Sequence, residues 1–285
     1  MKNKIKLSII TVNFNNDIGL EKTIESVLAQ TFSNYEFIII DGGSNDKSIE
    51  IIDKYKNKIA YYISEKDNGI YNAMNKGISV AKGEYLQFLN SGDYLLNKNV
   101  LEKIFQYKGR QDIYYGSSIR NSTDGRNYRC SEPNDLTMKR FFDHSICHQA
   151  MFIKKELFNK FGKYNEKLKI VADWEFNVRA IILNNCSLKF LNFPIVFYDM
   201  NGLSMKKQKM SLKEKDECLN KLIPARILAD YKKKNIRKSK DFHELEDEIE
   251  RLKRDLHIIQ SAKFYKMWQE MNSILRKVGI KKQYA

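Results

Sequence analysis

Four short runs rich in β-branched and aromatic residues, set apart by helical patterns, constrain this chain more than any other feature. The runs are Lys6–Asn13, Tyr35–Asp41, Ala60–Ser64 and Tyr85–Leu89. Between them lie three helical stretches. Leu20–Gln30 carries Leu20, Ile24, Val27 and Leu28 on one face. A second is expected from a cap at Ser44 to about Tyr55, and a third is Ile70–Ala81, closed by Lys82-Gly83. A strand that returns through a helix of about 10–15 residues pairs in parallel with its predecessor, because only an antiparallel partner can be reached by a tight turn. The pattern therefore predicts an α/β fold with a mostly parallel central sheet and helices on both faces, a three-layer α/β/α arrangement.

In such sheets ligands bind beyond the carboxyl ends of the strands. The segments there are Asn13-Phe14-Asn15-Asn16, Asp41-Gly42-Gly43-Ser44, Glu65-Lys66-Asp67-Asn68-Gly69 and Asn90-Ser91-Gly92-Asp93. All are polar and three contain Asp. Asn, Ser, Gly and Asp also make ordinary turns, so a lone Asp93 after a strand has a plain structural reading as well. No GxGxxG follows the first strand and no GxxxxGK[ST] occurs, which removes the dinucleotide and P-loop readings. A phosphate on this rim would need another partner, such as a divalent cation held by carboxylate.

Composition narrows the setting. An apolar fraction of 42% with 3 Pro and 13 Gly describes a folded chain. The four cysteines, Cys130, Cys147, Cys186 and Cys218, include no CxxC pair, which fits a reducing compartment and argues against a zinc site or disulfide framework. No stretch approaches the roughly 20 apolar residues of a transmembrane helix. The apolar run after the basic start is short and ends in asparagines, as a first strand would and a secretion signal would not. A cytoplasmic protein is expected. The net charge of +15 is unevenly placed: residues 205–285 hold 22 Lys and Arg against 12 Asp and Glu, two thirds of the excess. A basic tail points to an anionic partner.

The order ITVNFNN, then IIIDGGSNDKS, then EKDNGIYNAMNKGISVAKGEYLQFLNSGD closely resembles the family 2 glycosyltransferases of the GT-A fold, most of all their bacterial surface-polysaccharide branch. The resemblance is strong over Leu7–Asp93. It implies a Rossmann-like GT-A domain over 1–204, a basic helical extension over 205–285, and transfer of a sugar from a nucleotide-linked donor, UDP most of all. Asn13, Phe14 and Asn90 then line the nucleotide pocket, and Asp41 matches the carboxylate that accepts a hydrogen bond from the base. Asp67 and Gly69 lie in the segment approaching the nucleoside, with Lys76 on the helix behind. Asp93 matches the last acid of the DxD-type motif that holds Mn²⁺ or Mg²⁺ on the diphosphate. Ala172-Asp173-Trp174-Glu175 resembles a later acidic motif whose Asp is the general base of an inverting transfer. Three positions depart from the pattern. Asn90-Ser91-Gly92-Asp93 keeps one carboxylate, Gly42 replaces the second Asp of DDGS, and Met74 stands where many relatives place an Arg.

Read from the residues alone, Asp173 could equally be an N-cap. His148, in SICHQAMFI, reads as a hydrogen-bonded structural residue or as a contact to diphosphate or acceptor. In the tail, Phe242, Leu245, Ile249, Leu252, Leu256 and Ile259 alternate three and four apart, a short heptad seam. Phe264, Met267, Met271, Ile274 and Val278 form a second apolar stripe with basic neighbours. These suit packing against the enzyme's own body, homo-oligomerisation or attachment to an anionic membrane surface. The leading expectation is an inverting transferase extending a lipid-linked or surface glycan at the inner face of the membrane. The alternative is an inactive GT-A-like module recruited to a polyanion. Nucleic acid is not expected, since acids interleave with the bases and no base-reading motif occurs.

Overall fold

The computed structural model describes residues 4–107, 109–121, 126–200, 202, 207–231, 248–255 and 263–277. Its first half follows the alternation: β1 (Leu7–Asn13), α1 (Asp17–Leu28), β2 (Tyr35–Asp41), α2 (Ser48–Tyr55), β3 (Tyr61–Ser64), α3 (Ile70–Val80) and β4 (Tyr85–Phe88). The second half is more broken, with β5 (Tyr94–Leu95), α4 (Val100–Phe105), β6 (Ile113–Asn121), β7 (Asn127–Cys130), α5 (Met138–Asp143) and β8 (Met151–Lys154). Then come α6 (Lys155–Phe161), α7 (Ala172–Asn177), β9 (Leu188–Tyr198), α8 (Gln208–Leu222) and α9 (Lys263–Lys277). A 3₁₀ turn at His148–Ala150 leads into β8, and α7 widens into a π-helical stretch, Val178–Leu183.

The strands form one sheet in the order β3-β2-β1-β4-β8-β6-β9-β5, with β7 on β6. β1 lies between β2 and β4, parallel to both, and every residue of it is buried. Leu7 and Ile9 share a cluster with Leu20, Ile24 and Val27 of α1 and Ile52 of α2. Ile10, on the opposite face, lies against Gly77 of α3. Both faces are thus covered, and each buried Leu, Ile or Val contributes roughly 1.5–3 kcal/mol.

One strand runs against the rest of the centre. β8 is antiparallel to β4 and to β6, while β9 returns parallel to β6. Met151, where β8 begins, therefore lies toward the edge at which β4, β6 and β9 end. The segment just before β8 is carried to the same rim as the segments just after the other strands.

Ser44 does not cap α2. Its hydroxyl instead bonds the Asp41 carboxylate at 2.6 Å, and α2 begins at Ser48, whose amide is taken by Asp46.

The chain divides into two compact units, Met1–Leu222 and Ile223–Ala285. This differs from a division after residue 204 by α8, whose Glu214 accepts the Lys169 and Ile170 amides at 2.8 and 2.9 Å. In the second unit Ile249, Leu252, Met267, Met271 and Ile274 are exposed. Phe242, Leu245, Leu256, Ile259 and Val278 lie outside the described residues, so the heptad seam is only partly visible. Among the described residues no helix is long and apolar enough to cross a membrane.

Candidate active site

Asp41 ends β2 and is fully buried, an expensive place for a carboxylate unless it is surrounded by donors. Oδ1 accepts from Asn13 Nδ2 at 2.8 Å and Ser44 Oγ at 2.6 Å. Oδ2 accepts from Ser64 Oγ at 2.6 Å and from the Ser44 and Gly43 amides at 2.9 and 3.1 Å. Burial pushes the acid up, but the Ser44 and Ser64 hydroxyls and the Asn13 amide outweigh it and hold Asp41 below the usual carboxylate range. The residue expected to meet a base therefore ties together the ends of β1, β2 and β3.

A second acid lies beside it. A Cβ on Gly42 would fall 2.6 Å from Asp67 Oδ2, so the Asp67 carboxylate sits in the space a side chain at 42 would need. Asp67 Oδ1 accepts the Gly69 amide at 2.8 Å, and Gly69 enters α3 at φ +116°. Phe14, 64% exposed, flanks the same glycine. Lys76 is paired with Glu65 at 2.7 Å, and Met74 is buried in the core.

Each oxygen of Asp93 accepts one hydrogen bond. Oδ2 accepts Gln149 Nε2 at 2.9 Å and Oδ1 accepts the Asp199 amide at 2.8 Å, the latter from just beyond β9. Burial pushes its pKa up to about 7, against those two donors and the nearby His148. Among the described residues no three His, Cys, Asp or Glu side chains gather as a metal centre. Asp93 is enclosed, with the Asp199 carboxylate close to Gly92; an implied Mn²⁺ or Mg²⁺ would be held here by carboxylate together with the donor's phosphates.

Across the rim, Asp173 occupies the first turn of α7, not its cap, which is Val171. Both oxygens are engaged: Tyr71 donates to Oδ1 at 2.7 Å, and His148 Nδ1 lies 3.0 Å from Oδ2. His148 Nε2 faces Asn90 Nδ2 at 3.4 Å. Burial works against both charged forms. Their mutual hydrogen bond and charge nevertheless lower the Asp173 pKa and raise that of His148. Glu175 forms a two-point bridge with Arg179 at 2.8 and 2.9 Å and is not part of this group.

The structure thus links Asn13 to Asp41, sets Asp67 with Phe14 over Gly42, and joins Asn90, His148 and Asp173. Lys76 stays with Glu65. Sequence reasoning missed Tyr71, Gln149 and Asp199. Gln149 could have been suspected, since it follows His148 in a turn that must present one polar side chain to each side. Asp199 carried no signal, because nothing local shows that β9 ends beside Asp93.

The family model "Glycosyl transferase family 2" matches residues 8–166. A PGL/p-HBAD biosynthesis glycosyltransferase of Mycobacterium bovis is 31% identical over 204 residues, covering 69% of this chain and 78% of that protein. Staphylococcus aureus TarS, solved with UDP-GlcNAc, superposes with a TM-score of 0.59 at 20% identity over 71% of this chain, which spans 61% of the TarS chain. The mannosyltransferase PcManGT of Pyrobaculum calidifontis, solved with GDP-Man and Mn²⁺, has a TM-score of 0.54 at 11% identity, covering 97% of this chain and 86% of that one. These likenesses match the GT-A architecture.

Proposed function

Because the chain belongs to glycosyl transferase family 2, we propose that it moves a sugar from a UDP-linked donor to a hydroxyl of a lipid-linked or surface glycan, inverting the anomeric carbon. The observation that carries this reading is the meeting of two groups on one rim. Asn13, Asp41 and Asp67 stand at the tips of β1, β2 and β3, and the Asn90–His148–Asp173 line stands at the tip of β4. The UDP-GlcNAc bound by TarS supports UDP as the carrier.

On the donor side, Phe14 and Gly69 offer a ring and an open backbone to the nucleoside. The Asp67 carboxylate, in the space vacated at Gly42, takes the hydrogen bond from the base that Asp41 is too enclosed to take. On the acceptor side, Asp173 supplies the basic charge. An acceptor oxygen attacks the anomeric carbon, its proton is taken up there, and the sugar–phosphate bond breaks with its electron pair leaving on the nucleoside diphosphate. A positioned base contributes about 10²–10⁴-fold to such a step. A Mn²⁺ or Mg²⁺ held by Asp93 and the diphosphate would offset charge on the leaving group. The net charge of +10 beyond residue 204 supports a position at the inner face of the cytoplasmic membrane, where anionic lipid attracts Lys and Arg.

A hydrolysis screen across UDP-, GDP- and dTDP-sugars tests the reading. UDP-sugar turnover that disappears in Asp173→Asn is expected, and this outcome also excludes an inactive binding module. No turnover with any donor, alongside no UDP binding by calorimetry, would remove it.

A further inference from the structure

The arrangement around Asp173 bears on which atom meets the acceptor. Its carboxylate is fenced: the single Tyr71 hydroxyl hydrogen is shared between Asp173 Oδ1 and the Ile170 carbonyl, each at 2.7 Å, and His148 faces the other oxygen. Trp174, next in the chain, is buried, its indole donating to the Phe141 carbonyl at 2.9 Å, which fixes the start of α7. Both side chains are largely enclosed, Asp173 12% and His148 17% exposed. With Nδ1–H donated to Asp173, the neutral ring carries its lone pair on Nε2. That atom points to Asn90, at the tip of β4 on the rim, across a contact long enough to be displaced easily.

We propose that His148 Nε2 takes the acceptor hydroxyl's proton while Asp173 holds the ring from behind, making the base a His148–Asp173 dyad. This rests on the transferase reading above and changes only the atom that receives the proton. In the step, the acceptor O–H breaks and its proton goes to Nε2, while the oxygen's electron pair forms the bond to the anomeric carbon. The sugar–phosphate bond breaks, and its pair departs with the nucleoside diphosphate. The resulting imidazolium is stabilised by the Asp173 charge, and Asp173 stays ionised. Asn90 serves both states. Its Nδ2–H faces the neutral ring, and its Oδ1, buried without a partner, accepts from Nε2–H once the amide turns over.

The surroundings agree with a basic imidazole. Burial opposes the charged ring; besides Asp173 from α7, Asp93 from the β4–β5 turn acts on it and favours the charged form once ionised, above about pH 7. Tyr71 and Tyr164 lie around Asp173 as neutral phenols, and Lys215 of α8 acts on Asp173 from over the Trp174 ring.

Two measurements on the full chain decide the matter. In ¹⁵N-histidine protein, where four histidines give a tractable spectrum, neutral His148 is expected as the Nδ1–H tautomer. It should titrate above the ordinary value of about 6.5, and Asp173→Asn should lower the midpoint. An Nε2–H tautomer, or a midpoint indifferent to Asp173→Asn, overturns the dyad. In donor hydrolysis, kcat of His148→Gln should fall about 10²–10⁴-fold with unchanged UDP affinity and lose its acid limb, and added imidazole should restore turnover to His148→Gly. An active wild type with a His148→Gln profile of the same shape and height overturns this proposal alone. A wild type inert toward every donor overturns the parent reading and this one together.

Discussion

Gly42 and Gly92 each leave a space that a carboxylate from elsewhere in the chain fills. Asp67 Oδ2 lies 2.6 Å from the Cβ position of residue 42, and Asp199 Oδ2 lies 3.1 Å from that of residue 92. The acids missing from the local motifs are thus replaced in space by distant ones. If Asp67 reads the base, Asp67→Asn weakens UDP binding about tenfold in calorimetry, the size expected for one hydrogen bond to a charged group. Affinity equal to wild type would return the base contact to another residue. Asp93 makes a separate prediction at this scale. Burial raises it from 3.8 to about 7, so the folded state binds its proton more tightly than the unfolded chain does. Its contribution is complete below pH 3.8 and is lost as the pH climbs to about 7. Between pH 5 and 8, urea unfolding of wild type should lose on the order of 1–3 kcal/mol that Asp93→Asn does not lose.

At the scale of elements, α8 is held to the segment before α7 by one side chain. Glu214 takes the Lys169 and Ile170 amides, and the Ile170 carbonyl receives the Tyr71 hydroxyl that steadies Asp173. Glu214→Gln keeps one acceptor and loses the charge, so it should cost about 1–3 kcal/mol in thermal unfolding. It should also lower turnover severalfold by loosening Tyr71; a variant as stable and active as wild type would sever that link. The first four strands and three helices were readable because each helix buries one apolar stripe and each strand is dominated by β-branched, aromatic and other apolar residues, patterns that need no tertiary information. The backward course of β8 was not, since MFIK has the same composition whichever way it runs. Nor was the duty of Asp41: a carboxylate at a strand's end looks the same whether five donors enclose it or none. His148 was visible only as a histidine before a strand, and its bond to Asp173 spans 25 residues and two elements.

For the whole molecule, the described site lies within Met1–Leu222, and the tail beyond residue 204 carries a net charge of +10. A protein ended after Leu222 should unfold cooperatively and still hydrolyse donor, while losing affinity for vesicles of anionic lipid. Loss of hydrolysis on removal of residues 223–285 would mean the tail completes the site. Salt should weaken the vesicle binding of the full chain, as screening of exposed lysines requires. The reversed strand β8 has its own consequence. The loops proposed to hold the nucleotide leave parallel strands, whereas His148 and Gln149 arrive on the approach to a strand running the other way. The imidazole and Asp173 are thus encoded apart from those loops, while Tyr71 and Asn90, which touch them, come from the first half. A new acceptor can be met by changes in the later stretch alone, but a new sugar carrier that alters α3 or the turn after β4 also reaches proton handling.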